Sequence, residues 1–220
     1  MSNYFNQLPD FEYVSRLPDA KISEYITVKN LFKKGELRPD IFQNVSFFTK
    51  YKIEGDDRPD NVASIFYGES SLDWLVLTCN NVINIQSEWP LTQVEFDSYL
   101  ISKYGTYEKL NAIHHYETVQ HKNTDNVIIV PAGLQVDSTF SVDYYDFYTD
   151  SQVTATPVIP VSNYEYENKI EEDKRNIFLL KRKYLSIVND DMQEMMEYKK
   201  GSTQYVNGTL KRADNIRLFQ

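Results

Sequence analysis

The sequence predicts an α+β protein, and three observations predict it. The run from Phe47 to Ile53 is aromatic and β-branched, which is typical of a strand, and two short helical patterns follow it. Residues 106–160 are rich in strand-forming residues, whereas residues 161–200 carry helical spacing. From these changes we expect five segments: an N-terminal arm (1–45), a core with its following helix (46–105), a β-rich region (106–160), a helical C-terminal region (161–200) and a tail (201–220).

The first 45 residues are polar with scattered aromatics, and prolines interrupt them. Two interpretations stand: an extended arm that becomes ordered on a neighbouring protein, or an irregular layer packed on its own domain. Residues 26–32 fit a strand and a short helix equally well. Met1–Asp10 lacks the features of a signal peptide, and no apolar run approaches the ~20 residues of a membrane helix. We therefore expect a protein kept in the cytoplasm or packed into a particle assembled there.

Two short helices follow the first strand. We expect the first to begin at Pro59 behind Asp56 and Asp57, whose carboxylates accept free amide hydrogens, and to end at Gly68 in a left-handed cap. Its expected buried face comprises Val62, Ile65 and Phe66.

The second helix is predicted to begin at Ser70, with Asp73 completing a capping box. Its expected buried stripe comprises Leu72, Leu75, Val76 and Cys79, widened by Trp74 and Leu77. The single cysteine is therefore predicted to be a small core residue.

A third helix is predicted from Gln93 to Lys103, with a capping box formed by Thr92 and Glu95. Strands are predicted at 113–119 and 126–130, followed by a turn at 131–133 and further β structure to 142. The aromatic run 142–148 has two interpretations. We favour aromatic pairs across a hairpin, and the alternative is a docking patch.

The end of the chain is predicted to be mainly helical. Pro157–Pro160 indicates an extended connector, and a charged helix is expected to start at Ser162 or Asn163. Residues 176–180 are apolar all round and fit a buried strand or a helix. Residues 181–198 are predicted to be helical and the last twenty loosely ordered. The expected apolar face of this last helix comprises Tyr184, Ile187, Val188, Met192 and Met195.

The charge and motif content argue against several function classes. The net charge of −9 repels phosphate backbones, so we expect no nucleic-acid partner. His114 and His115 are neighbours in a predicted strand, which directs them to opposite faces and away from a shared metal. The carboxylates of residues 171–173 are interpreted as a solvated helix face. No nucleophile, metal or phosphate-loop motif is apparent, so we expect no enzyme activity, no cofactor and no small-molecule substrate.

The stretch around the two short helices contains, in order, Gly55-Asp56, Ile65, Tyr67-Gly68, Leu72 and Asn80. On these residues it resembles the LysM module over about 40 residues. The resemblance implies a LysM-like core of two antiparallel strands with two helices on one side, here followed by the β-rich insert and the C-terminal helices. The sequence departs from ordinary LysM modules after Asn80, where the usual glycine-containing second strand is missing.

A second set of motifs runs in order along residues 26–198: Arg58-Pro59, Trp74-x-Val76-Leu77, Cys79-Asn80, Trp89-Pro90-Leu91-Thr92, Ile113-His114-His115-Tyr116-Glu117 and Lys174-Arg175-x-Ile177. In these motifs and their order the chain resembles the LysM-containing baseplate wedge protein of T-even-type contractile-tailed bacteriophages. The resemblance implies a structural, non-enzymatic subunit of the virion tail baseplate that joins wedge subunits. The implied partners are the wedge core bundle and the sheath-initiating subunit, without membrane, nucleic acid or small molecule.

We predict that a LysM-like groove binds these partners. Its candidate residues are Gly55, Asp56, Asp57 and Arg58 in the first turn, Asn80 and Asn81 after the second helix, and Trp89 further along. The other interpretation is that they are plain turn and cap residues. The alternative function is a LysM-type peptidoglycan-binding module of a cell-wall-targeting protein.

Overall fold

The computed structural model of the chain describes residues 3–15, 17, 19, 21 and 24–213. The α-helices are α1 Tyr4–Gln7, α2 Pro39–Phe42, α3 Pro59–Tyr67, α4 Asp73–Cys79, α5 Ile85–Glu88, α6 Gln93–Tyr104, α7 Tyr107–Leu110, α8 Asn163–Lys174 and α9 Leu185–Met196. The strands are β1 Asp10–Val14, β2 Tyr25–Lys29, β3 Phe48–Lys52, β4 Ile113–Thr118, β5 His121–Lys122, β6 Ile128–Val130, β7 Gln135–Val136, β8 Val142–Asp146, β9 Ser151–Ala155, β10 Val158–Ser162, β11 Asn176–Leu180, β12 Tyr205–Asn207 and β13 Leu210–Arg212.

These elements confirm the α+β class. They group into two compact units: unit 1 combines Met1–Glu88 with Asn176–Gln220, and unit 2 is Trp89–Arg175. The five segments expected from the sequence remain a prediction about the chain's organisation. No helix formed by the described residues is both long and apolar enough to cross a membrane.

The core of unit 1 joins distant parts of the chain. β3 pairs antiparallel with β11, from Phe48 opposite Leu180 to Lys52 opposite Asn176. Helix α4 packs against β11 and against α3. Leu179 and Leu180 have no exposed surface. Residues 176–180 therefore form the buried strand that was one of the two possibilities, and they pair with the confirmed strand at 48–52.

Helix α3 ends as predicted, because Gly68 takes a φ of 82° and donates its N–H to Ser64 O. The predicted face of this helix is wrong at Ile65, which is 60% exposed, since the buried residues are Pro59, Val62 and Ala63. Helical residues are about 100° apart, so Ile65 lies about 110° from the centre of the Val62–Ala63 stripe.

The predicted entries of the two short helices are also corrected. Arg58, and neither aspartate, is the N-cap of α3, and its side chain caps no amide. Before α4, residues 70–72 form a 3₁₀ turn, and the Asp73 carboxylate accepts the Trp74 amide at 2.8 Å instead of completing a capping box. The predicted burial of Leu72, Leu75, Val76 and Cys79 is confirmed.

Strands from the N-terminal and C-terminal regions of the chain form one sheet of unit 1, in the order β12-β13-β1-β2. β1 pairs antiparallel with β2 and parallel with β13. Leu8, Leu37 and Ile41 are buried, so the described residues of the N-terminal region pack on their own unit. Residues 25–29 form a strand. The expectation of a loose tail is wrong for residues 205–212, where Arg212 Nε lies 2.6 Å from the Glu12 carboxylate. Residues 214–220 lie outside the described part.

Helix α9 starts later than predicted and turns a slightly different face inward. A 3₁₀ turn occupies residues 182–184, and α9 buries Val188, Met192 and Met196. Ile187 is exposed, contrary to the predicted face.

Unit 2 is built on α6 and a three-stranded sheet. The capping box of Thr92 and Glu95 is confirmed, and Phe96, Leu100 and Leu110 form a buried cluster. Residues 158–160 of the predicted extended connector instead belong to β10, in the sheet order β10-β4-β7. Pro160 is tolerated there because it lies on an edge strand, where its missing N–H removes no ladder hydrogen bond.

Candidate partner-binding site

The first predicted part of the site is the turn between β3 and α3. Gly55 has a φ of 55°, which favours glycine, and Asp56 and Arg58 are exposed. The Arg58 guanidinium lies 3.4 Å from the Asp60 carboxylate. Burial, followed by the nearby charges of Asp57 and Glu54, raises the pKa of Tyr51. The turn therefore presents a predominantly acidic surface.

The second part is the end of α4, where Asn80 has a structural role. Its Nδ2 donates to Val76 O at 2.8 Å and to Phe178 O at 2.9 Å, and its Oδ1 accepts the Phe178 amide at 2.8 Å. The side chain thus fastens α4 to β11, and both ends of its amide are occupied within the chain.

Asn81 lies beside a small pocket of unit 1. It has a φ of 52° and is exposed. The pocket has a volume of about 200 Å³ and is lined by Lys34, Gly35, Glu36, Leu37, Phe42, Thr78, Asn81, Val82 and Ile83. Phe42 and Ile83 expose apolar surface there. None of the four residues from Gly55 to Arg58 lines this pocket, so Asn81 is the predicted site residue that belongs to it.

Trp89, the last predicted site residue, is the first residue of unit 2 and is buried. Its ring is therefore not accessible at the surface, unlike the exposed residues of the two loops. The use of these seven residues in partner binding stays a prediction.

A larger cleft of unit 1, of about 580 Å³, was not predicted. Lys33 Nζ donates to Met195 O at 2.6 Å and Glu197 O at 2.7 Å, carbonyls at the end of α9. The ammonium groups of Lys33 and Lys211 lie 5.3 and 5.0 Å from the centroid of the Tyr198 ring. Burial and then the nearby lysine charges lower the pKa of Lys33. Lys33 and Met195 are 162 residues apart, so no local pattern indicated the cleft.

A buried carboxylate in unit 2 was also missed. Glu167 of α8 is 4% exposed, and Lys103 Nζ lies 2.6 Å from its Oε1. The hydroxyls of Tyr104 and Tyr99 donate to it at 2.8 and 3.2 Å. Burial raises the pKa of Glu167, but the Lys103 and tyrosine hydrogen bonds outweigh burial and hold it below its usual value.

The same helix corrects the expectation of a solvated carboxylate run. Glu171 is buried, accepts the Leu91 amide and lies 2.8 Å from Lys174 Nζ, whereas residues 172 and 173 are exposed as expected. Glu167 and Glu171 are four residues apart and share one helix face. The partners of Glu167 are Tyr99, Lys103 and Tyr104 of α6, and the helical spacing of these three residues was the only sign of them in the sequence.

The predicted opposition of the two adjacent histidines is wrong. Their Nδ1 atoms lie 2.8 Å apart, and the His114 ring stacks on Tyr166 at 4.0 Å. The register with β10 passes from His115 directly to Ile113, so His114 is an extra residue in a β-bulge. A bulge changes the direction of a side chain, which brings the two rings together. Among the described residues, no group of three or more His, Cys, Asp or Glu side chains is arranged to hold a metal.

Comparison with known proteins gives one finding. The profile of a phage family described as base plate wedge protein 53 matches residues 4–197, which is most of the chain. No curated protein matches it.

Proposed function

This chain belongs to the phage base plate wedge protein 53 family, and from that premise we propose that it is a non-enzymatic subunit that joins neighbouring wedges of a contractile tail baseplate. Family membership makes it a baseplate wedge protein of the virion that associates with other baseplate subunits. The finer proposal is that it contacts the wedge core bundle and the sheath-initiating subunit. The family match over residues 4–197 is the observation that carries this proposal.

The surface of unit 1 supports a role in protein contacts. Phe42 and Ile83 expose apolar side chains around the pocket that Asn81 lines, and Lys34 and Glu36 add charges at its wall. An apolar centre with a polar rim is the usual composition of a protein interface. We propose this pocket, together with the acidic turn at 55–58, as the contact surface.

Co-expression with the sheath-initiating subunit and the wedge core bundle from the same genome tests the proposal. Size-exclusion chromatography with light scattering is expected to give one complex of defined mass. The double variant Phe42→Asp/Ile83→Asp should elute separately from the complex, because binding would remove two charges from water at the apolar centre of the contact. Asp56→Lys/Asp57→Lys tests the turn separately.

The matched control is Val206→Asp, which places a charge on an exposed apolar position of β12 in the same unit. It is expected to stay in the complex. If the wild-type protein elutes alone, the proposed contacts are wrong. If the pocket variant co-elutes like the control, the pocket is not the contact surface.

Peptidoglycan binding is the second candidate, and one observation favours it. β3, α3 and α4 follow one another as strand, helix and helix, and β11, which comes much later in the chain, pairs antiparallel with β3. We propose that these elements form the LysM-like core, with the second strand supplied after unit 2 in the sequence. Sedimentation with insoluble peptidoglycan tests the activity. Retention of the purified protein would favour this function, and its recovery in the supernatant would favour a purely structural use of the core.

A further inference from the structure

The hairpin of β8 and β9 carries aromatic side chains that have no aromatic partner on the opposite strand. Tyr144 lies opposite Val153 and Tyr145 opposite Gln152. The favoured interpretation of cross-strand aromatic pairs is therefore wrong for β8. At the end of the hairpin, Phe147 and Tyr148 are 79% and 84% exposed. We call these two residues the aromatic tip.

The backbone beneath the aromatic tip is held in place by a buried carboxylate. Asp146 accepts hydrogen bonds from the hydroxyls of Thr124 at 2.7 Å and Thr149 at 3.0 Å, and from the Tyr148 amide at 3.2 Å. Burial raises the pKa of Asp146, but the Thr124 hydrogen bond, the largest influence, lowers it below its usual value. Hydrogen bonds of Asp146 to Thr124 and to residues 148 and 149 thus fix the loop that carries the aromatic tip.

The ring of Phe147 is positioned by a neighbour. It packs edge-on against Tyr145 with centroids 5.2 Å apart, and the Tyr145 hydroxyl donates to the Asp150 carboxylate. Asp150 has a φ of 50°, which closes the turn. Fixing exposed aromatic rings before binding reduces the entropy that association costs. Such rings are typical anchors at the centres of protein interfaces.

The exposed charge near the aromatic tip indicates the kind of partner. Residues 123–162 contain five aspartates and neither lysine nor arginine, and all of these aspartates except Asp146 are exposed. Asp125 is exposed and directly follows Thr124, which bonds the base of the tip. A surface of one sign favours a partner of the opposite sign.

We propose that the aromatic tip inserts into an apolar pocket rimmed by lysine or arginine on a neighbouring baseplate subunit. This inference rests on the proposed function, because it assumes a subunit that joins neighbours. Truncating two central aromatic anchors is expected to weaken the contact by about 30-fold or more. Reversing the adjacent charge is expected to weaken it further than neutralising it.

A competition experiment tests the proposal. Wild-type and Phe147→Ala/Tyr148→Ala chains with distinguishable tags are co-expressed with the other wedge subunits, and their ratio in the purified wedge is measured by mass spectrometry. The variant should be depleted by about 30-fold. The control Tyr107→Ala removes a 72% exposed aromatic of the same unit and should enter equally with wild type. Asp125→Lys should be depleted more than Asp125→Asn.

The outcomes separate this inference from the proposed function. If the tip variant and the wild-type protein enter the wedge equally, the inference is wrong but the proposed function stands. If the wild-type protein itself is excluded from the wedge, both are wrong. Photocrosslinking from p-benzoylphenylalanine at position 148 is an independent test that needs no truncation. A crosslink to a lysine- or arginine-containing peptide of another subunit supports the proposal, and crosslinks confined to this chain contradict it.

Discussion

The buried carboxylate of unit 2 gives the sharpest stability prediction. Glu167→Gln keeps the side-chain volume but removes the charge that Lys103 and two tyrosine hydroxyls surround. A hydrogen bond to a charged group contributes about 1.5–3 kcal/mol net. Lys103 is partly exposed and recovers hydration, which discounts its share. We therefore expect the free energy of unfolding of unit 2 to fall by about 2 kcal/mol at pH 7.

The pH dependence of this effect follows from the direction of the pKa shift. Because the folded-state pKa of Glu167 lies below its ordinary value, the stabilisation is fully present above the unfolded-state pKa of about 4.3. It is lost as pH falls through the folded-state pKa. The difference between wild type and Glu167→Gln should therefore be constant from pH 7 to 5 and shrink progressively at lower pH.

Urea unfolding followed by fluorescence measures this difference. The chain has two tryptophans, and Trp89 is the one in unit 2. Placing both proteins in a Trp74→Phe background makes Trp89 the reporter, and the background cancels in the comparison. The control Glu172→Gln changes an exposed carboxylate on the same helix and should alter stability by less than about 1 kcal/mol. Equal effects of the two substitutions, or an effect of Glu167→Gln that persists unchanged at low pH, would refute the reasoning.

Three further predictions concern unit 1. Asn80→Ala removes the hydrogen bonds to Val76 and Phe178 and should lower the free energy of unfolding in urea by about 1–3 kcal/mol. The control Asn81→Gly keeps the left-handed backbone and should change it by less than about 1 kcal/mol. Similar losses for the two variants would contradict the structural role of Asn80. Leu179→Ala should cost about 2–5 kcal/mol in the same assay, and Phe178→Ala, on the outer face of β11, clearly less. Burial raises the pKa of Cys79 to about 12, so its thiol should react with a disulfide reagent only after denaturation, and rapid reaction of the native protein would be inconsistent with its burial.

Local chemistry was sufficient to predict the elements that carry their own end signals. The helix from Gln93 has a complete capping box, the helix from Asn163 has another formed by Ser162 and Glu165, and Gly68 ends α3. In each case the deciding interaction joins residues a few positions apart. The strand at 48–52 and the burial of Cys79 were likewise visible in composition and spacing.

The pairing of distant strands was not accessible to the same reasoning. β11 pairs with β3, and β13 with β1, across most of the chain length. Residues 205–212 are polar, and main-chain pairing together with the Arg212–Glu12 ion pair orders them. The prolines at 157 and 160 indicated an extended connector, but the sequence did not indicate that Val158–Ser162 pairs as an edge strand, where Pro160 is tolerated. Such effects depend on which segments become neighbours.

The sequence indicated the local structure of the candidate site residues only in part, for a related reason. The sequence indicated Gly55 and Asn81 correctly as turn residues, since both have positive φ. It did not indicate that the side-chain amide of Asn80 bonds to the main chain of β11, or that Trp89 is buried. Both features depend on residues that are distant along the chain. Glu167 was missed because a charged residue on a charged helix is normally solvated, and its partners lie on another helix.

The most direct test of the structural role is cross-linking mass spectrometry on purified tails of the phage that encodes this chain. The protein should be present in the intact tail, with cross-links from its lysines to the sheath-initiating subunit and to the wedge core bundle. Absence of the protein from purified tails, or its presence with cross-links only to itself, would contradict its role in joining wedges.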